Sequence, residues 1–404
     1  MSNQTQSKRY FEMAELTAFQ AARLADDVYS LTRLSSLKDA VTYLNGEYGE
    51  VFSFSEQNLL KAKTGGPWFI KCRTAFGFTL LGQGTLKGHA FFLFRGTQYL
   101  ADWLTNLNIS VSRSPSGQPV HDGFKNAFFT MEPKLKEFMA IVAKNNISHI
   151  HCIGHSLGGA LATLCGDWIK SGYKIKPYIY TFGSPRVGLY GFADFCTSSI
   201  GAERIFRAYH KTDIVPCIPI WPFIHTPNAG QDYYLPSPGI VPMAEYHGMN
   251  HYIDSVRNKS WPTLAALESE RKSDDGIVRW LKSTSPIGLT ITALEWLNQA
   301  LVYVLKKCLK GVAWAISGTF GTSFTLMDQL AYVLKKGIDV SENFSSLVLN
   351  LIKKMMEILG MKKVLKAAEL TREFIRSIFL KLQQKVNEFT QAALSKVLVK
   401  GRAV

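Results

Sequence analysis

Two regions of the chain differ in how apolar and polar residues alternate. From about residue 10 to residue 260, short apolar runs alternate with helical patterns, which is typical of a largely parallel sheet covered by helices. After about residue 258 the strand signal fades, and beyond a polar stretch at 268–276 apolar residues recur at three- and four-residue steps. The pattern therefore predicts an α/β domain at 1–260 and a second, all-α region at 261–404.

Within the first region, apolar runs predict strands and amphipathic patterns predict the helices between them. The strands are expected at Ala90–Phe94, Ile147–Ile153, Tyr178–Phe182 and Arg204–Tyr209. The helices are expected at Lys125–Lys144 and Leu157–Lys170. Residues 214–246 contain seven prolines and are predicted to be a long loop. A loop of that length inside a compact domain is usually functional.

The second region predicts long amphipathic helices. In the last of them Arg and Lys fall on other faces than the apolar residues. The apolar set is Phe374, Ile378, Leu382, Val386, Phe389, Ala393 and Val397. The uncharged run Gly311–Met327 is short and contains Gly, Ser and Thr, so it falls short of the roughly 20 apolar residues that a membrane span needs.

Positive charge is concentrated in the second region. The chain has a net charge of +15, and residues 280–404, with 18 Lys and Arg against 8 Asp and Glu, carry ten of those charges. Because basic amphipathic helices adsorb to anionic bilayers, an anionic membrane is an expected partner. A helical bundle with an ordinary solvated Lys face explains the same pattern. No nucleic-acid partner is expected, because no basic stretch interleaved with aromatic residues appears.

The cysteines and histidines do not predict a metal site. The six cysteines are scattered without metal-ligand spacing and are expected to be buried thiols: Cys72, Cys152, Cys165, Cys196, Cys217 and Cys308. His149 and His151 share one face of a predicted strand, where metal ligands or core histidines would both fit, and core histidines are the expectation. We expect no metal and no organic cofactor.

The first 30 residues lack the apolar segment of a secretory signal and resemble a polar tail followed by an amphipathic helix. This pattern predicts a protein without a signal peptide. Such a protein is either cytoplasmic in the producing cell or exported by a route that is independent of a signal peptide.

The strongest chemical signal is Gly154-His155-Ser156-Leu157-Gly158-Gly159, which follows a predicted strand and opens a predicted helix. That context fits a nucleophile elbow, in which a sharp strand-to-helix turn lifts the serine hydroxyl clear of the sheet. The amide of Leu157 would lie at a helix N-terminus, where it can stabilise a developing oxyanion. We therefore predict that Ser156 is a nucleophile.

A serine nucleophile needs a base, and the base needs an acid that orients it. In hydrolases with such an elbow, the acid and then the histidine follow the serine in the chain. Asp213 stands just past the strand Arg204–Tyr209, at the kind of strand end where such sites assemble, although aspartate is also common in turns. His225, His247 and His251 follow it, and spacing alone does not choose among them.

Motifs over roughly residues 60–255 make the chain resemble the class 3 lipases, the family of the filamentous-fungal triacylglycerol lipases. They are Phe94-Arg95-Gly96-Thr97, Val120-His121-Asp122-Gly123-Phe124, the elbow around Ser156, the segment Thr181–Gly188, Asp213-Ile214-Val215-Pro216, and His247-x-Met249-x-x-Tyr252. The resemblance implies an α/β-hydrolase with a mostly parallel central sheet. It also implies a triad of Ser156, Asp213 and His247, with Thr97 as the second oxyanion donor beside Leu157.

The resemblance further implies that Gln98–Leu107 forms a lid over the site. One apolar stripe of this segment consists of Tyr99, Leu100, Trp103, Leu104 and Leu107. A short amphipathic helix of this kind can cover an apolar cleft in water and turn its apolar face toward lipid. A helix packed into the core would show the same stripe.

By this resemblance we expect a serine ester hydrolase that acts on acyl glycerolipids at a membrane or droplet surface. The basic, apolar-striped C-terminal third favours a membrane phospholipid, cleaved as by a phospholipase A. The alternatives are a triacylglycerol or general lipase, and a lipase-like signalling or interaction protein whose hydrolase site is not essential. The chain shows neither the signal peptide nor the disulfide framework of the secreted fungal members. Similar lipase domains with extra modules occur among bacterial lipase effectors and among plant lipase-like immune signalling proteins, which carry a helical C-terminal domain. As an antibacterial secreted effector, the protein would have an inhibitor (immunity-type) protein and a secretion apparatus as its expected partners.

Overall fold

The computed structural model describes residues 15–64, 72–97, 110–239, 241–267, 272–311, 326–361 and 366–400. The strands are β1 (Leu59–Thr64), β2 (Cys72–Leu81), β3 (His89–Phe94), β4 (Val111–Arg113), β5 (Pro119–His121), β6 (His149–His155), β7 (Tyr178–Phe182), β8 (Ile205–His210) and β9 (Tyr233–Leu235). The described residues form one seven-stranded sheet in the order β1-β2-β3-β6-β7-β8-β9, while β4 and β5 pair as a separate hairpin.

The sheet is mostly parallel. β1, β2 and β3 pair antiparallel, and every pairing from β3 to β9 is parallel. The register pairs Phe94 with Gly154 and Gly154 with Thr181, so β3, β6 and β7 end at the same edge of the sheet. The predicted α/β-hydrolase fold with a mostly parallel central sheet is confirmed.

Helices cover both faces of this sheet. They are α1 (Ala18–Asp27), α2 (Ser30–Arg33), α3 (Leu37–Tyr48), α4 (Asp122–Phe129), α5 (Glu132–Lys144), α6 (Leu157–Tyr173), α7 (Tyr190–Ile200), α8 (Met249–Val256) and α9 (Trp261–Ala265). On β3, Phe91 and Leu93 point into a core that includes α1, α8 and α9, whereas Phe92 and Phe94 point into a core that includes α4, α5 and α6. Burial on both faces explains the nearly unbroken apolar run of this strand.

The single helix predicted at Lys125–Lys144 is wrong, because the structure divides this segment into α4 and α5. Pro133 lies in the first turn of α5. In one continuous helix it would remove an intrahelical hydrogen bond, and its ring would clash with the carbonyl of Phe129. In the first turn the missing N–H costs nothing, so the helix begins again at Glu132.

The four predicted strands are confirmed, with ends that move by at most two residues. The expectation of an unbroken loop over residues 214–246 is wrong at β9, which extends the sheet beyond β8 and is fully buried. A three-residue strand between prolines shows no alternation that a sequence pattern can detect. The same segment contains two 3-10 turns, Val215–Cys217 and Ala244–His247.

The all-α character of the C-terminal region is also confirmed. Its described helices are α10 (Asp274–Lys282), α11 (Ile291–Gly311), α12 (Leu326–Val340), α13 (Glu342–Ile358) and α14 (Arg372–Lys400). On α14 the periodic residues Ile378, Leu382 and Val386 are buried, while Lys381 and Lys385 are exposed. The domain boundary near residue 260 stays a prediction.

Two further expectations concern the C-terminal helices and the thiols. Of the helices that the structure describes, none combines the length and the apolarity needed to cross a bilayer. Residues 312–325 of the uncharged run lie outside the described residues. Cys152, Cys165, Cys196, Cys217 and Cys308 are buried free thiols, as expected. The side chain of Cys72 lies outside the described part of the structure.

Candidate active site

Ser156 occupies the sharp turn between β6 and α6. Its backbone has φ 56° and ψ −129°, an unusual conformation for a residue with a side chain. The amide of Ser156 donates to the Phe182 carbonyl over 2.9 Å, and the amide of Gly159 donates to the Ser156 carbonyl over 2.9 Å. Backbone strain of this kind persists where surrounding contacts enforce it, and it is common at functional sites. The structure thus supplies the strand, turn and helix that an elbow requires.

Asp213 and His247 form a buried hydrogen-bonded pair. Nδ1 of His247 lies 2.8 Å from Oδ2 of Asp213, and both residues are buried. The second carboxyl oxygen of Asp213 accepts the amide of Val215 over 2.9 Å. Because the carboxylate accepts from Nδ1, this nitrogen carries a hydrogen, and the Nε2 of a neutral His247 ring can accept a proton.

The structure selects His247 from the three candidate histidines. Nε of Arg186 donates to Nε2 of His225 over 3.4 Å, and the ring of His225 stacks on Tyr209. His251 stacks on the ring of Tyr246 with the centroids 4.5 Å apart. Of the three rings, it is therefore His247 that meets Asp213, in agreement with the resemblance.

Gly183 lies against this pair. Its φ is +55°, and a Cβ at this position would lie 2.7 Å from Oδ2 of Asp213 and 3.1 Å from Nδ1 of His247. The first distance is too short for a carbon atom and the second is tight, and the positive φ disfavours a side chain as well, so the close approach of the β7 turn to the pair requires glycine.

The turn after β3 approaches the nucleophile in a similar way. A Cβ built on Gly96 would lie 2.9 Å from the Cβ of Ser156. Thr97 follows Gly96 and is half-buried. Leu157, on the other side of the serine, is the first residue of α6, and the first amides of a helix have no acceptor within the helix. Of the predicted oxyanion donors, Leu157 thus directly follows Ser156, and Thr97 directly follows the glycine that approaches it.

Two atoms of the site have unused hydrogen-bonding capacity. Within the described ranges, neither Oγ of Ser156 nor Nε2 of His247 has a hydrogen-bond partner, although both atoms are buried. Each buried polar atom without a partner calls for an explanation. These are the two atoms between which a proton moves when a serine attacks an ester. The lid residues Tyr99, Leu100, Trp103, Leu104 and Leu107 lie outside the described residues.

Sequence reasoning missed a buried hydrogen-bond chain that joins three segments of the site. The amide of Gly96 donates to the Tyr29 hydroxyl over 2.9 Å, and this hydroxyl lies 2.7 Å from Nδ1 of His155. Nε2 of His155 lies 2.7 Å from the carbonyl oxygen of His247. Since a carbonyl can only accept, Nε2 carries the hydrogen and Nδ1 accepts from Tyr29. Burial lowers the pKa of His155 well below its ordinary value, so this ring is neutral.

Tyr252 is a second residue whose role the sequence did not reveal, although it belongs to one of the motifs. Its hydroxyl donates to Oδ2 of Asp213 over 2.7 Å, beside the bond from His247. Burial and the nearby Asp213 raise the pKa of Tyr252 well above its ordinary value, which keeps it a hydrogen-bond donor. Asp213 therefore accepts from His247, Tyr252 and Val215.

The histidines considered as metal ligands have another arrangement. Nδ1 of His89 lies 2.9 Å from Nε2 of His151, and the two rings stack. The ring of His149 also stacks on His89. Across the residues that the structure describes, no group of three or more His, Cys, Asp or Glu side chains is arranged to hold a metal ion.

Comparison with known proteins places the site in a family context. Residues 91–223 match the family model described as lipase (class 3). A secreted mono- and diacylglycerol lipase of Fusarium solani is 35% identical over 147 residues, which are 35% of this chain and 42% of that protein. A lipase of Rhizomucor miehei is 31% identical over 39% of this chain and 44% of its own length. The chain thus spans less than half the length of these two relatives.

Other relatives are similar at a comparable level. A phospholipase A1 of Oryza sativa subsp. indica is 29% identical over 46% of this chain and 54% of its own length. Among solved structures, a triacylglyceride lipase of Rhizomucor miehei matches 54% of this chain and 78% of its own, with 23% identity and a TM-score of 0.38. The Lip2 lipase of Yarrowia lipolytica matches 57% and 81%, with 20% identity and a TM-score of 0.42.

Proposed function

We propose that the chain is a serine ester hydrolase acting on acyl glycerolipids. The proposal starts from the match of residues 91–223 to the class 3 lipase family model. The observation that carries the proposal is the geometry of the site. Ser156 is strained, and its hydroxyl has no hydrogen-bond partner among the described residues. Its amide bonds to Phe182, and the next residue, Gly183, lies against the buried Asp213–His247 pair.

The mechanism follows from these positions. His247 takes the hydroxyl proton of Ser156 on Nε2 while the serine oxygen attacks the acyl carbonyl. Asp213 holds the ring orientation and stabilises the imidazolium that forms. Thr97 and the amide of Leu157 bind the negative oxygen. His247 then protonates the departing alcohol, and a water activated by the same ring hydrolyses the acyl-enzyme to a fatty acid and free Ser156.

For the substrate, we propose a membrane glycerophospholipid cleaved as by a phospholipase A. The relatives include a protein named phospholipase A1, and residues 280–404 carry ten of the fifteen net positive charges. Part of that charge is neutralised locally, as in the pairs Arg376–Asp328 and Lys335–Asp339. Lys381 and Lys385 are exposed on α14, where they could meet anionic headgroups. Each such residue contributes about 1 kcal/mol near an anionic surface.

Release of fatty acid from phospholipid vesicles and from a triacylglycerol emulsion tests the substrate, with Ser156→Ala as the control for each surface. We expect faster release from vesicles, and loss of a triad residue should lower kcat by about 10⁴–10⁶-fold. Faster release from the emulsion would contradict the phospholipase assignment and leave a triacylglycerol lipase. A folded wild-type protein inactive on both surfaces would contradict the hydrolase itself and favour the interaction protein.

Flotation with neutral and with anionic vesicles tests the membrane partner. We expect the double variant Lys381→Gln/Lys385→Gln to bind anionic vesicles more weakly than wild type. The matched control Lys87→Gln/Lys144→Gln removes the same charge from exposed positions of the α/β region and should bind like wild type. Equal binding to neutral and anionic vesicles would contradict an electrostatic partner. The roles of antibacterial effector, inhibitor-protein partner and export without a signal peptide stay predictions.

A further inference from the structure

The C-terminal helices and the segment that separates Asp213 from His247 share one hydrophobic core. Helices α10 to α14 contribute most of this cluster. Its members from the α/β region are Ala193, Ile214, Val215, Cys217, Ile218, Ile220, Trp221 and Ile224. The two faces of the sheet are packed by separate clusters. The loop after Asp213 is therefore packed mainly by residues from beyond position 274.

Val215 connects this shared core to the acid. The 3-10 turn Val215–Cys217 contacts α11, and Val215 is fully buried in the cluster. The amide of the same residue donates to Oδ1 of Asp213 over 2.9 Å. Val215 therefore links α11 directly to Asp213, so that a displacement of α11 would displace the carboxylate.

The C-terminal helices also contact the turn that carries the base, His247. Helix α14 contacts the 3-10 turn Ala244–His247, and Ala244 packs against the shared core. The buried Arg186 also donates to the carbonyls of Cys217 and Pro219 over 2.7 and 3.1 Å. The segment after Asp213 is thus held both by Arg186 and by the C-terminal helices.

The nucleophile is anchored differently. The amide of Ser156 bonds to the last residue of β7, Phe182, and Leu157 packs in the core on one face of the sheet. Loosening the C-terminal helices would therefore act directly on Asp213 and His247, and would reach Ser156 less directly, through the bond from His155 to the His247 carbonyl. Small misplacements of catalytic groups lower the rate strongly, and about 1 Å can cost 10²-fold.

We propose that α11 and α14 are positioning elements of the active site, which act through Val215 and through the turn Ala244–His247. The inference rests on the proposed function and extends it. The basic region sets the geometry of the acid and the base, so it affects hydrolysis even when no lipid surface is present.

The test uses the full chain and a soluble, monomeric p-nitrophenyl ester of a short fatty acid. Val304→Ala removes two methyl groups from α11, and Val142→Ala removes the same groups from α5, in a core cluster separate from the shared core. Both positions are buried. We expect Val304→Ala to lower kcat roughly tenfold with KM unchanged, well within the 10²-fold that misplacement can cause. Val142→Ala should keep the wild-type kcat at a temperature where both variants are folded.

Equal kcat for Val304→Ala and wild type would overturn the inference while leaving the hydrolase intact. The same holds if Val304→Ala slows only the hydrolysis of vesicle phospholipid, since the helices would then act at the lipid surface alone. A wild-type protein without activity on the ester would instead contradict the proposed function. If Val304→Ala does not fold, the smaller change Ile291→Val, with Ile200→Val as its control, applies the same criterion.

Discussion

The hydroxyl of Tyr29 lies 2.7 Å from Nδ1 of His155, although 126 residues separate the two in the chain. His155 directly precedes Ser156, and Tyr29 stands just after α1. The same hydroxyl accepts the amide of Gly96, which adjoins Thr97. One buried side chain from the N-terminal part of the protein thus supports both the turn before the nucleophile and the turn that carries a proposed oxyanion donor.

Tyr29→Phe should therefore impair both stability and catalysis. Without the hydroxyl, the amide of Gly96 and Nδ1 of His155 are left buried without this partner, at a cost of about 1–3 kcal/mol for each group. We expect kcat on a soluble ester to fall by about 10- to 100-fold through displacement of the oxyanion donors. Urea unfolding and steady-state kinetics measure the two effects.

The control for this substitution is Tyr43→Phe, which removes a partly exposed hydroxyl that donates to Asp27 over 3.3 Å. It should leave kcat unchanged. If Tyr29→Phe lowers stability but keeps the wild-type kcat at a temperature where it is folded, Tyr29 has a structural role alone.

Tyr252→Phe should lower kcat with little change in KM. It removes one of two donors to Oδ2 of Asp213 and leaves the bond from His247 in place. A hydrogen bond to a charged group contributes about 1.5–3 kcal/mol, and its loss at the acid should lower kcat roughly tenfold. An unchanged kcat would mean that His247 and Val215 alone orient the carboxylate. Tyr173→Phe, at an exposed position, is the matched control.

Gly183→Ala should abolish activity. The added methyl group would lie 2.7 Å from Oδ2 of Asp213 at a backbone φ of +55°, so both the carboxylate and the turn must move. We expect kcat to fall by more than about 10²-fold, since misplacement by 1 Å has that effect. Gly172→Ala places its methyl group in open space on α6 and should retain activity. Substantial activity in Gly183→Ala would contradict the tight packing around the pair.

Stability should decline as the pH falls below neutrality, because buried histidines resist protonation. Burial lowers the pKa of His89 and of His210 to about 4, and it also lowers the pKa of His151 well below its ordinary value. In the unfolded chain these groups titrate near 6.5, so the unfolded state binds more protons between about pH 6.5 and 4. Their contribution to stability is complete above pH 6.5 and decreases toward pH 4.

Urea unfolding at pH 7 and pH 5 measures this loss. The double variant His89→Phe/His151→Phe keeps aromatic rings in the stack beside Phe91 and removes two of the titrating groups. We expect a smaller difference between the two pH values in the variant than in the wild type. Equal differences would show that these two histidines do not determine the pH dependence.

Much of the site was predictable because it depends on local patterns. A strand, a glycine-flanked serine and a helix follow one another in sequence, so Ser156 and Leu157 could be predicted from the residues alone. The choice of His247 over His225 and His251 needed the family resemblance, since their order in the chain is equally compatible with Asp213. The structure then showed the hydrogen bond between His247 and Asp213.

The residues that the sequence did not reveal act over long distances. Tyr29 meets His155 only because α1 packs against the sheet, and no spacing in the sequence encodes that contact. The helix predicted at Lys125–Lys144 is interrupted before Pro133 because proline disrupts a continuous helix, and the spacing of apolar residues does not reveal this effect. The shared core of the C-terminal helices and the loop after Asp213 depends on tertiary packing, so the pattern of the helices suggested a separate region.

Labelling with a fluorophosphonate tests the central claim most directly, because this reagent reacts with a serine hydroxyl only when it is activated. Mass spectrometry of the labelled, digested protein locates the adduct. We predict a single adduct on Ser156, no labelling of Ser156→Ala, and strongly slowed labelling of His247→Ala. A folded wild-type protein that is not labelled, or that is labelled at another serine, would contradict the account.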